Sequence, residues 1–322
     1  MKEDIRMPIT KSVITAAKKR KIPVKNLGLL GDKALLQLGK GKNIKWTRGA
    51  VTSNTKYLSM KIAHHKNFTN LILKKAKLPV PKHFACKEIQ EAKRNLKKMK
   101  FPIVVKPATS RLGFQVYCDI TSSSEALKYF KKVRKKFPQV VIEEQIKGKD
   151  FRVLIVNGKL VAAMERIPPF VLGDGKSSIK KLIDIENKKR AETKNGLKKI
   201  AIDLEVRRTL RRQKLNLNSI LKKGEKIYLR RNANISTGGV GIDVTEKIHP
   251  ENIKLAKKAV STIGLDIGGV DIIVPDISKP YFRQGGKIIE VNGGPDAAIH
   301  HFPVRGKARF AGEAIVEMLF PK

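Results

Sequence analysis

Two oxygen-bearing side chains close an apolar strand near the end of the sequence. In the stretch KIIEVNGGPDAAIH, residues 287–300, Glu290 and Asn292 are two positions apart with Val291 between them. Because successive side chains on a strand point to opposite faces, Glu290 and Asn292 share one face and Val291 points into the core. A carboxylate and an amide side by side can bind a hard cation. The alternative is a strand whose end simply becomes exposed to solvent.

A second carboxylate, Asp271, lies in the otherwise apolar run GGVDIIVPD. The polar link DISKPYFRQGG predicts a hairpin that lays this run against KIIEVN. Asp271, Glu290 and Asn292 would then face one another. This set of oxygen ligands suits magnesium held jointly with substrate phosphates better than zinc. The alternative is a satisfied buried aspartate beside two edge residues.

A lysine that could reach nucleotide phosphates ends another apolar strand. Lys106 closes FPIVVKP and precedes the loop ATSRLGFQV, whose backbone amides could wrap phosphates. On local evidence alone, a surface lysine is the commoner interpretation of Lys106. The sequence has no G-x-x-x-x-G-K-[ST] motif and no G-x-G-x-x-G motif after a strand. P-loop and dinucleotide-binding proteins therefore lose support.

The stretch VVIEEQIKGKDFRVLIV adds more charged groups. Asp150 can accept hydrogen bonds from ribose hydroxyls, and Arg152 can direct its guanidinium toward phosphate. Glu143 and Glu144 end an apolar strand and are adjacent, so they face opposite ways. They cannot flank one glycosidic bond, which argues against a glycosidase.

Three regions must position these residues. Residues 1–62 predict a small αβ region, with an amphipathic helix in SVITAAKKRKI and two strands in ALLQLGKGKNIKWTRG. Residues 63–147 predict a mixed α+β unit that begins with a helix over AHHKNFTNLILKKAK. Residues 148–322 predict a hairpin with an Asn-Gly turn, a polar and basic insertion over 173–226, and the strands that carry Asp271 and Glu290. The predicted fold class is α+β.

The net charge of +41, from 69 Lys and Arg against 28 acidic residues, concentrates anionic partners such as nucleotides, acidic peptides or nucleic acid. Aromatic residues make up only 6% of the sequence, and no stacking platform for single strands is visible. Specific nucleic-acid binding is therefore disfavoured. The hydrophobic fraction of 41% excludes a disordered chain.

The remaining composition favours a soluble protein of the cytoplasm. The sequence has only Cys86 and Cys118, which lack the close spacing of a zinc or redox motif and are interpreted as ordinary buried thiols. No apolar run of about 18 residues predicts a membrane span, and MKEDIRMPITKS does not have the pattern of a signal peptide.

The order of these motifs resembles the ATP-grasp superfamily, and more closely the ATP-grasp domain of cyanophycin synthetases. The resemblance covers roughly residues 7–322. It is carried by the ordered phrases KIPVKNL, LLQLGKGK, LILKKAKLPVPK, VVKP, VNGKLVAAMERIP, VLGDGKSSIKKLI, NISTGGVGIDVTEKIHPEN, GLDIGGVDIIVPDIS and IIEVNGGP. It implies a nucleotide held between two α+β subdomains.

The resemblance also implies the role of each residue. ATP would be held by Lys66, Lys106, Gly113, Glu143, Glu144, Ile146 and Asp150: both lysines on phosphates, Lys106 also near the adenine, the backbone of Glu144 and Ile146 at the adenine edge, and Asp150 on the ribose. Magnesium (Mg2+) would be held by Asp271, Glu290 and Asn292. The catalytic residues would be Arg152, Arg230 and Asn292. The substrate would contact Asn234, Ser236, Thr237, Gly238, Gly239 and His300, with His300 as a base candidate or a hydrogen-bonded loop histidine.

The implied reaction joins a carboxylate to an amine. The carboxylate would attack the γ-phosphate of ATP, and the amine would capture the acyl phosphate. The substrate would be an amino acid or an acidic peptide, and the family predicts a homo-oligomer. Gly293 and Gly294 would let the chain approach the substrate.

The sequence departs from the family in the glycine-poor loop ATSRLGFQV and in PDAAIH after the metal residues. The family's two flanking domains have no counterpart in the sequence, so the family's full reaction cycle is not expected of this chain alone. The alternative is a catalytically idle module that binds an anionic partner.

Overall fold

The computed structural model describes residues 8–27, 34–110, 114–192 and 197–321. The α-helices in these ranges are α1 (Pro8–Lys19), α2 (Tyr57–His64), α3 (Lys66–Lys75), α4 (Ile89–Leu96), α5 (Ser123–Arg134), α6 (Ile179–Glu192), α7 (Leu204–Arg212), α8 (Pro250–Ile263) and α9 (Gly312–Leu319). The strands are β1 (Val24–Asn26), β2 (Leu35–Leu38), β3 (Lys45–Arg48), β4 (Val51–Thr52), β5 (His83–Cys86), β6 (Ile103–Pro107), β7 (Tyr117–Ile120), β8 (Val140–Glu144), β9 (Lys149–Val156), β10 (Lys159–Ile167), β11 (Phe170–Leu172), β12 (Lys226–Tyr228), β13 (Val240–Asp243), β14 (Ile267–Val274) and β15 (Lys287–Gly293).

Across the described ranges these strands form four sheets, with the orders β1-β2-β3-β4, β5-β8-β6-β7, β11-β12 and β13-β10-β9-β14-β15. The pairs of the five-stranded sheet are all antiparallel. Asn157 and Gly158 have positive φ angles of 46° and 70°, as the tight turn between β9 and β10 requires. The mixed α+β class predicted from the sequence is confirmed.

The five-stranded sheet is apolar on both faces over most of its area. On one face, Val153 and Val270 belong to a core that also contains residues of α2, α3 and α8. On the other face, Leu154 and Val156 belong to a core shared with α1, α9 and β2. On this second face, the alternation along β9 continues from Leu154 to Arg152 and Asp150. The charged residues therefore occupy the part of the face that the apolar core leaves open.

The first and last described helices close the second core together. The backbone N–H of Gly312 in α9 donates to Ser12 Oγ in α1 at 3.0 Å, and Lys19 Nζ lies 3.0 Å from Glu313 Oε1. A β-carbon at Gly312 would lie 2.2 Å from the backbone oxygen of Ser12, so the close approach of the two helices requires glycine there.

The second four-stranded sheet packs on α4 and α5 through a separate core that includes Ile103, Ile142 and Phe130. The sequence predicted that one helix over 63–77 begins this unit, and that prediction is wrong in detail. Two helices are present, because His65 is extended (φ −109°, ψ 97°) and its side chain caps α3 by accepting from the N–H of Phe68. The first of the two begins upstream, at Tyr57.

The insertion over 173–226 is more ordered than its polar composition indicated. It contains α6 and α7, and Ile179, Ile183, Val206 and Leu210 form an apolar core of their own. The predicted boundaries at 62, 147 and 322 remain predictions. No helix within the described ranges combines the length and apolar character needed to span a membrane.

Candidate active site

Asp271 and Glu290 lie directly opposite each other on β14 and β15. Two residues further along each strand, Asn292 is paired with Gly269. Val291 between them is fully buried in the core beneath the sheet. The predicted hairpin and the shared face of Glu290 and Asn292 are therefore confirmed. Asn292 donates through Nδ2 to the carbonyl of Gly269 at 3.2 Å, so its Oδ1 is the atom that could accept from or bind another group.

Two arginines bind Asp271, one from the adjacent strand β9 and one from β10 beyond it. Arg152 on β9 is paired with Asp271 and contacts its carboxylate through Nε and, at 3.2 Å, through Nη2. Arg166 on β10 lies 2.9 Å from Asp271 Oδ2 and also donates to Asp150 Oδ1, at 2.6 Å through Nη2 and 2.8 Å through Nε. Asp150, Arg152, Arg166 and Asp271 form a cluster of two carboxylates and two guanidiniums, called the arginine–aspartate cluster below.

Burial and charge act in opposite directions on the two aspartates. Burial alone would raise the pKa of Asp271, but the guanidiniums of Arg152 and Arg166 outweigh it and hold that pKa below the usual value. Burial raises the pKa of Asp150 above its usual value despite Arg166, and the nearby charge of Asp271 adds to this rise. The cluster therefore keeps Asp271 ionised, as a metal ligand requires.

Lys66 brings a third cation to the same place. It is the first residue of α3, only 7% exposed, and its Nζ lies 3.2 Å from Glu290 Oε1. The same Nζ donates to the carbonyl of Ser110 at 2.8 Å. Lys66 therefore links the carboxylates of the five-stranded sheet to the segment that follows β6.

Lys106 is buried, so the surface lysine favoured by local sequence evidence is wrong. It is 3% exposed, and its Nζ lies 2.5 Å from Oε1 of Glu143, which is also 3% exposed. The second oxygen of Glu143, Oε2, is buried and has no hydrogen-bond partner among the described residues. A buried ion pair with an unused acceptor is available to a polar ligand.

The segment that follows β8, residues 145–148, has backbone groups without hydrogen-bond partners in the described ranges. The N–H of Lys82 donates to Glu144 Oε2 at 3.0 Å, and Glu144 N–H donates to the carbonyl of Lys82 at 2.9 Å. Ile146 comes two residues later and makes no backbone hydrogen bond within the described ranges. It can present both its N–H and its carbonyl to a ligand edge. Gly113 lies outside the described residues.

The loop that was predicted to contact substrate lies at the end of β10. Asn234 caps a short 3-10 helix over Ile235–Thr237 by accepting from the N–H and the hydroxyl of Ser236. A β-carbon at Gly239 would lie 3.0 Å from the carbonyl oxygen of Ile167. Gly238, the residue before it, has a φ of 98°, and Gly241 pairs with Arg166. The loop is thus followed closely in the chain by Gly241, which is paired with Arg166 of the arginine–aspartate cluster. The loop contains Asn234, Ser236, Thr237, Gly238 and Gly239.

Arg230 and His300 have different environments. Arg230 is 7% exposed and pairs through Nη2 with Asp203 Oδ2 at 2.6 Å, and no contact within the described residues joins it to the arginine–aspartate cluster. His300 is 2% exposed. Burial, followed by the charge of Arg152, lowers the pKa of His300 to about 3. His300 is therefore neutral at pH 7.

The two glycines after Asn292 lie where neighbouring side chains leave no room for a β-carbon, and the expectation that they bring the chain close to substrate stays a prediction. A β-carbon at Gly293 would lie 2.6 Å from Met60 Sδ, and one at Gly294 would lie 2.7 Å from Val51 Cγ2. Gly294 also has a φ of 60°, which disfavours other residues. These glycines let β15 approach α2 and β4.

The donor set fits magnesium shared with phosphates. In the described parts of the chain, no group of three or more His, Cys, Asp or Glu side chains is arranged to hold a metal. Asp271 and Glu290 supply two carboxylates and Asn292 supplies an amide oxygen, so the remaining ligands would come from phosphates or water. Magnesium is commonly held in this way, by one or two carboxylates and substrate phosphates.

Arg166 was missed by the sequence analysis. Its position two residues after Met164 on a charged hairpin strand gave no signal by itself, although it faces the same side as Arg152.

Known proteins are similar to this chain over most of its length. A family model described as "Phosphoribosylglycinamide synthetase, ATP-grasp (A) domain" matches residues 64–175. The cyanophycin synthetase of Crocosphaera subtropica is 39% identical over 320 residues, which are 98% of this chain and 36% of that protein. The glutathione biosynthesis bifunctional protein GshAB of Clostridium perfringens is 34% identical over 292 residues, 88% of this chain and 38% of that protein. The crystal structure of a bifunctional glutathione synthetase from Pasteurella multocida has 27% identity and a TM-score of 0.67, covering 97% of this chain and 43% of that one.

The fold and these matches together show an ATP-grasp protein. Within that superfamily, the chain is similar to one region of cyanophycin synthetases, as the ordered motifs predicted, and it spans about a third of their length.

Proposed function

We propose that this chain is an ATP- and magnesium-dependent carboxylate–amine ligase of the cyanophycin synthetase type. The observation that carries the proposal is the alignment of Arg152, Asp271 and Glu290 in one cross-strand row, with Lys66 against its end. This row supplies both the oxygen ligands for a metal and the cations for phosphates on a single face.

ATP would bind where this row meets the four-stranded sheet that carries Lys106. Lys66 and Lys106 would contact its phosphates, with Lys106 also near the adenine. The unpaired backbone of Ile146, with that of Glu144, would meet the adenine edge. Asp150 would accept from the ribose hydroxyls. The burial of both lysines supports this assignment, because a buried ammonium strongly favours an anionic partner.

The reaction would proceed in two substitutions. A substrate carboxylate oxygen forms a bond to the γ-phosphorus while the bond from that phosphorus to the β-phosphate oxygen breaks, which releases ADP. The amine nitrogen then bonds to the acyl carbon, phosphate leaves with the bonding electrons, and the nitrogen loses a proton. Arg152 would offset charge on the transferred phosphate, and Arg230 would do so if it leaves Asp203. Magnesium, held by Asp271, Glu290 and Asn292, supplies charge neutralisation of the phosphates.

The protein needs no nucleophile of its own for this chemistry. Its contribution would be position and preorganised charge, which the arginine–aspartate cluster provides in a buried setting. The loop from Asn234 to Gly239 and His300 would contact the substrate. His300, being neutral, would act as a hydrogen-bonding group or accept the proton from the amine.

The substrates would be an amino acid or an acidic peptide, in keeping with the net charge of +41. By resemblance, we also propose a homo-oligomer in the cytoplasm. The alternative, an idle module that binds an anionic partner such as nucleic acid, has less support, because matched proteins are named cyanophycin synthetase and bifunctional glutathione synthetase.

The test is the release of ADP and phosphate from ATP with a panel of amino acids and short acidic peptides, with products identified by mass spectrometry. A ligase gives stoichiometric ADP, phosphate and amide. Folded protein that neither binds nor hydrolyses ATP with any panel member would refute the proposal. Nucleic-acid binding that keeps a sequence or shape preference as salt is raised would favour the idle module.

A further inference from the structure

Helix α7 of the insertion presents two arginines away from the insertion's own core. Val206 and Leu210 are fully buried in that core. Arg208 and Arg212 are four residues apart, so they lie on one side of the helix, away from the face that Val206 and Leu210 bury. Asp203 caps the helix by accepting from the N–H groups of Glu205 and Val206. The direction of both arginines is therefore fixed by a capped and packed helix.

Both arginines reach across to the four-stranded sheet that carries Lys106. Each donates to the carbonyl oxygen of Cys118 on β7, Arg212 through Nη1 at 2.8 Å and Arg208 through Nη2. Arg212 also pairs with Glu125 on α5. The guanidinium carbon of Arg208 lies 4.8 Å from the ring centroid of Tyr129 on α5, a cation–π contact.

The contacted strand is one that needs a partner. β7 is at the edge of its sheet, in the order β5-β8-β6-β7, and its register with β6 is irregular. An edge strand presents carbonyls that the sheet does not satisfy. Asp119, next to Cys118, has a φ of 55° and lies 3.1 Å from Arg231 Nε. Charged donors from the second half of the chain thus satisfy the open edge of β7, and such charge-assisted bonds are stronger than neutral ones.

The insertion also supports the loop proposed to contact substrate. Arg190 on α6 is 4% exposed and donates through Nη1 to the carbonyl of Gly238 at 2.7 Å. A β-carbon at Gly238 would lie 2.9 Å from the Cα of Ile200. The same small apolar core therefore holds both helices. Helix α6 contacts the substrate loop through Arg190, and helix α7 contacts β7 through Arg208 and Arg212.

We infer that Arg208 and Arg212 are positioning residues that hold the four-stranded sheet carrying Lys106 against the insertion, and so tie nucleotide binding to the substrate loop. The inference rests on the proposed function for its consequence in nucleotide binding. Its structural part, the docking of α7 on β7, stands independently. Neither arginine touches the residues proposed to hold the metal.

Cys118 provides a native reporter of this docking. Its surroundings desolvate the thiol and raise its pKa to about 12, which slows alkylation at neutral pH. Cys86 is 0% exposed and serves as the internal reference within the same molecule. The experiment compares the double variant Arg208→Ala/Arg212→Ala with Arg207→Ala/Arg211→Ala. The control removes the same charge from exposed positions of the same helix.

The measurements are the iodoacetamide modification rate of Cys118 by mass spectrometry and the Kd for ATP by calorimetry. The expected results for the first variant are at least about fivefold faster modification of Cys118 relative to Cys86, and about tenfold weaker ATP binding with a smaller change in kcat. The control should match the wild type in both. Equal Cys118 rates in the two double variants would overturn the inference.

A second variant covers the case in which the double variant does not fold. Glu125→Gln removes the partner of Arg212 from the opposite side, and it should speed Cys118 modification in the same direction by a smaller factor. An unchanged rate would overturn the inference. If the wild type fails to bind ATP, the proposed function fails, while the alkylation rates measured without nucleotide still decide whether α7 holds β7.

Discussion

Asp271 and Glu290 face each other across neighbouring strands, and each is held by a different cation, Asp271 by Arg152 and Glu290 by Lys66 at 3.2 Å. The charges of the carboxylates proposed to bind the metal are thus balanced by the groups proposed to bind phosphate. A nucleotide can draw the cations to its phosphates and free the carboxylates for magnesium, so metal and nucleotide should bind together.

Replacing Glu290 by Gln tests this arrangement. The amide keeps the size of the side chain and an oxygen for Lys66, but removes one charge from the metal, so the magnesium concentration for half-maximal turnover should rise at least about tenfold. Folding stability should change little, because Lys66 keeps its bond to Ser110. Glu246→Gln is the control, since Glu246 pairs with Lys307 on the exposed surface. An unaltered magnesium dependence in Glu290→Gln would place the metal elsewhere.

Arg166→Ala should destabilise the protein by about 3 kcal/mol, since it leaves the buried Asp271 and the half-buried Asp150 with a single guanidinium, that of Arg152, nearby. The stability of Arg166→Lys should fall between those of the wild type and Arg166→Ala, because an ammonium lacks the planar fork with which the guanidinium reaches both carboxylates. Urea unfolding measures the change. Lys159→Ala on the same strand removes an exposed ion pair to Glu317 and should cost less than about 1 kcal/mol. Equal losses in the free energy of unfolding for Arg166→Ala and Lys159→Ala would contradict the prediction that the cluster stabilises the fold.

His300 should make stability fall in mild acid. Burial holds the pKa of folded His300 at about 3, below the ordinary histidine value of 6.5. Between these values the unfolded chain binds a proton that the folded protein excludes, so the free energy of unfolding falls as pH drops through this window, by at most about 1.4 kcal/mol per pH unit. His300→Gln should flatten the dependence of the urea midpoint between pH 7 and 4. An equal slope in wild type and His300→Gln would assign the acid sensitivity to other groups.

Gly269→Ala should weaken ATP and magnesium binding through Arg152. A β-carbon at Gly269 would lie 3.1 Å from Cδ of Arg152 and 2.8 Å from Pro295 Cβ, so the arginine that holds Asp271 must shift. Gly268→Ala is the matched control, because its β-carbon would meet Val260 at 2.5 Å on the opposite face of the sheet. Both variants should lose stability, and only Gly269→Ala should raise the Kd for ATP. Equal Kd values would separate Arg152 from nucleotide binding.

Acidic peptides of increasing length test whether the positive charge serves the substrate. If exposed lysines and arginines hold carboxylates beyond the reacting one, the apparent affinity should rise with length at low ionic strength. Salt should remove that gain, since exposed charge pairs are weak and screened. Affinity that does not change with length would leave the charge of +41 as compositional drift without affecting the ligase assignment.

The sequence was sufficient to place Asp271 near Glu290, because the polar link between their strands predicts one hairpin. It was insufficient for Arg166. The Asn-Gly turn sets Val156 opposite Lys159, and continuing that register would put Glu165 opposite Asp150. An irregularity between Leu160 and Ala162 shifts the pairing by one residue, so Arg166 meets Asp150 instead. Such bulges depend on tertiary packing and have no local sequence signal.

The insertion shows the same limit at a larger scale. Its apolar residues are separated by lysines and arginines, so the sequence predicted only a polar and basic insertion. In the structure, Val206 and Leu210 complete a small core only because α6 and β12 bring distant residues to them. The burial of Lys106 likewise depends on Glu143 from another strand, which no local pattern reveals.

The pairing of α1 with α9 sets a limit on how early the fold can form during synthesis. Ser12 and Gly312 are 300 residues apart, yet the core beneath Leu154 and Val156 includes residues from both helices. A ribosome-bound chain that lacks α9 would keep this face of the five-stranded sheet exposed, even after every strand has emerged. Contacts of such sequence separation form slowly and leave apolar surface open in the meantime. The nascent chain should therefore depend on chaperones until its last described helix is released.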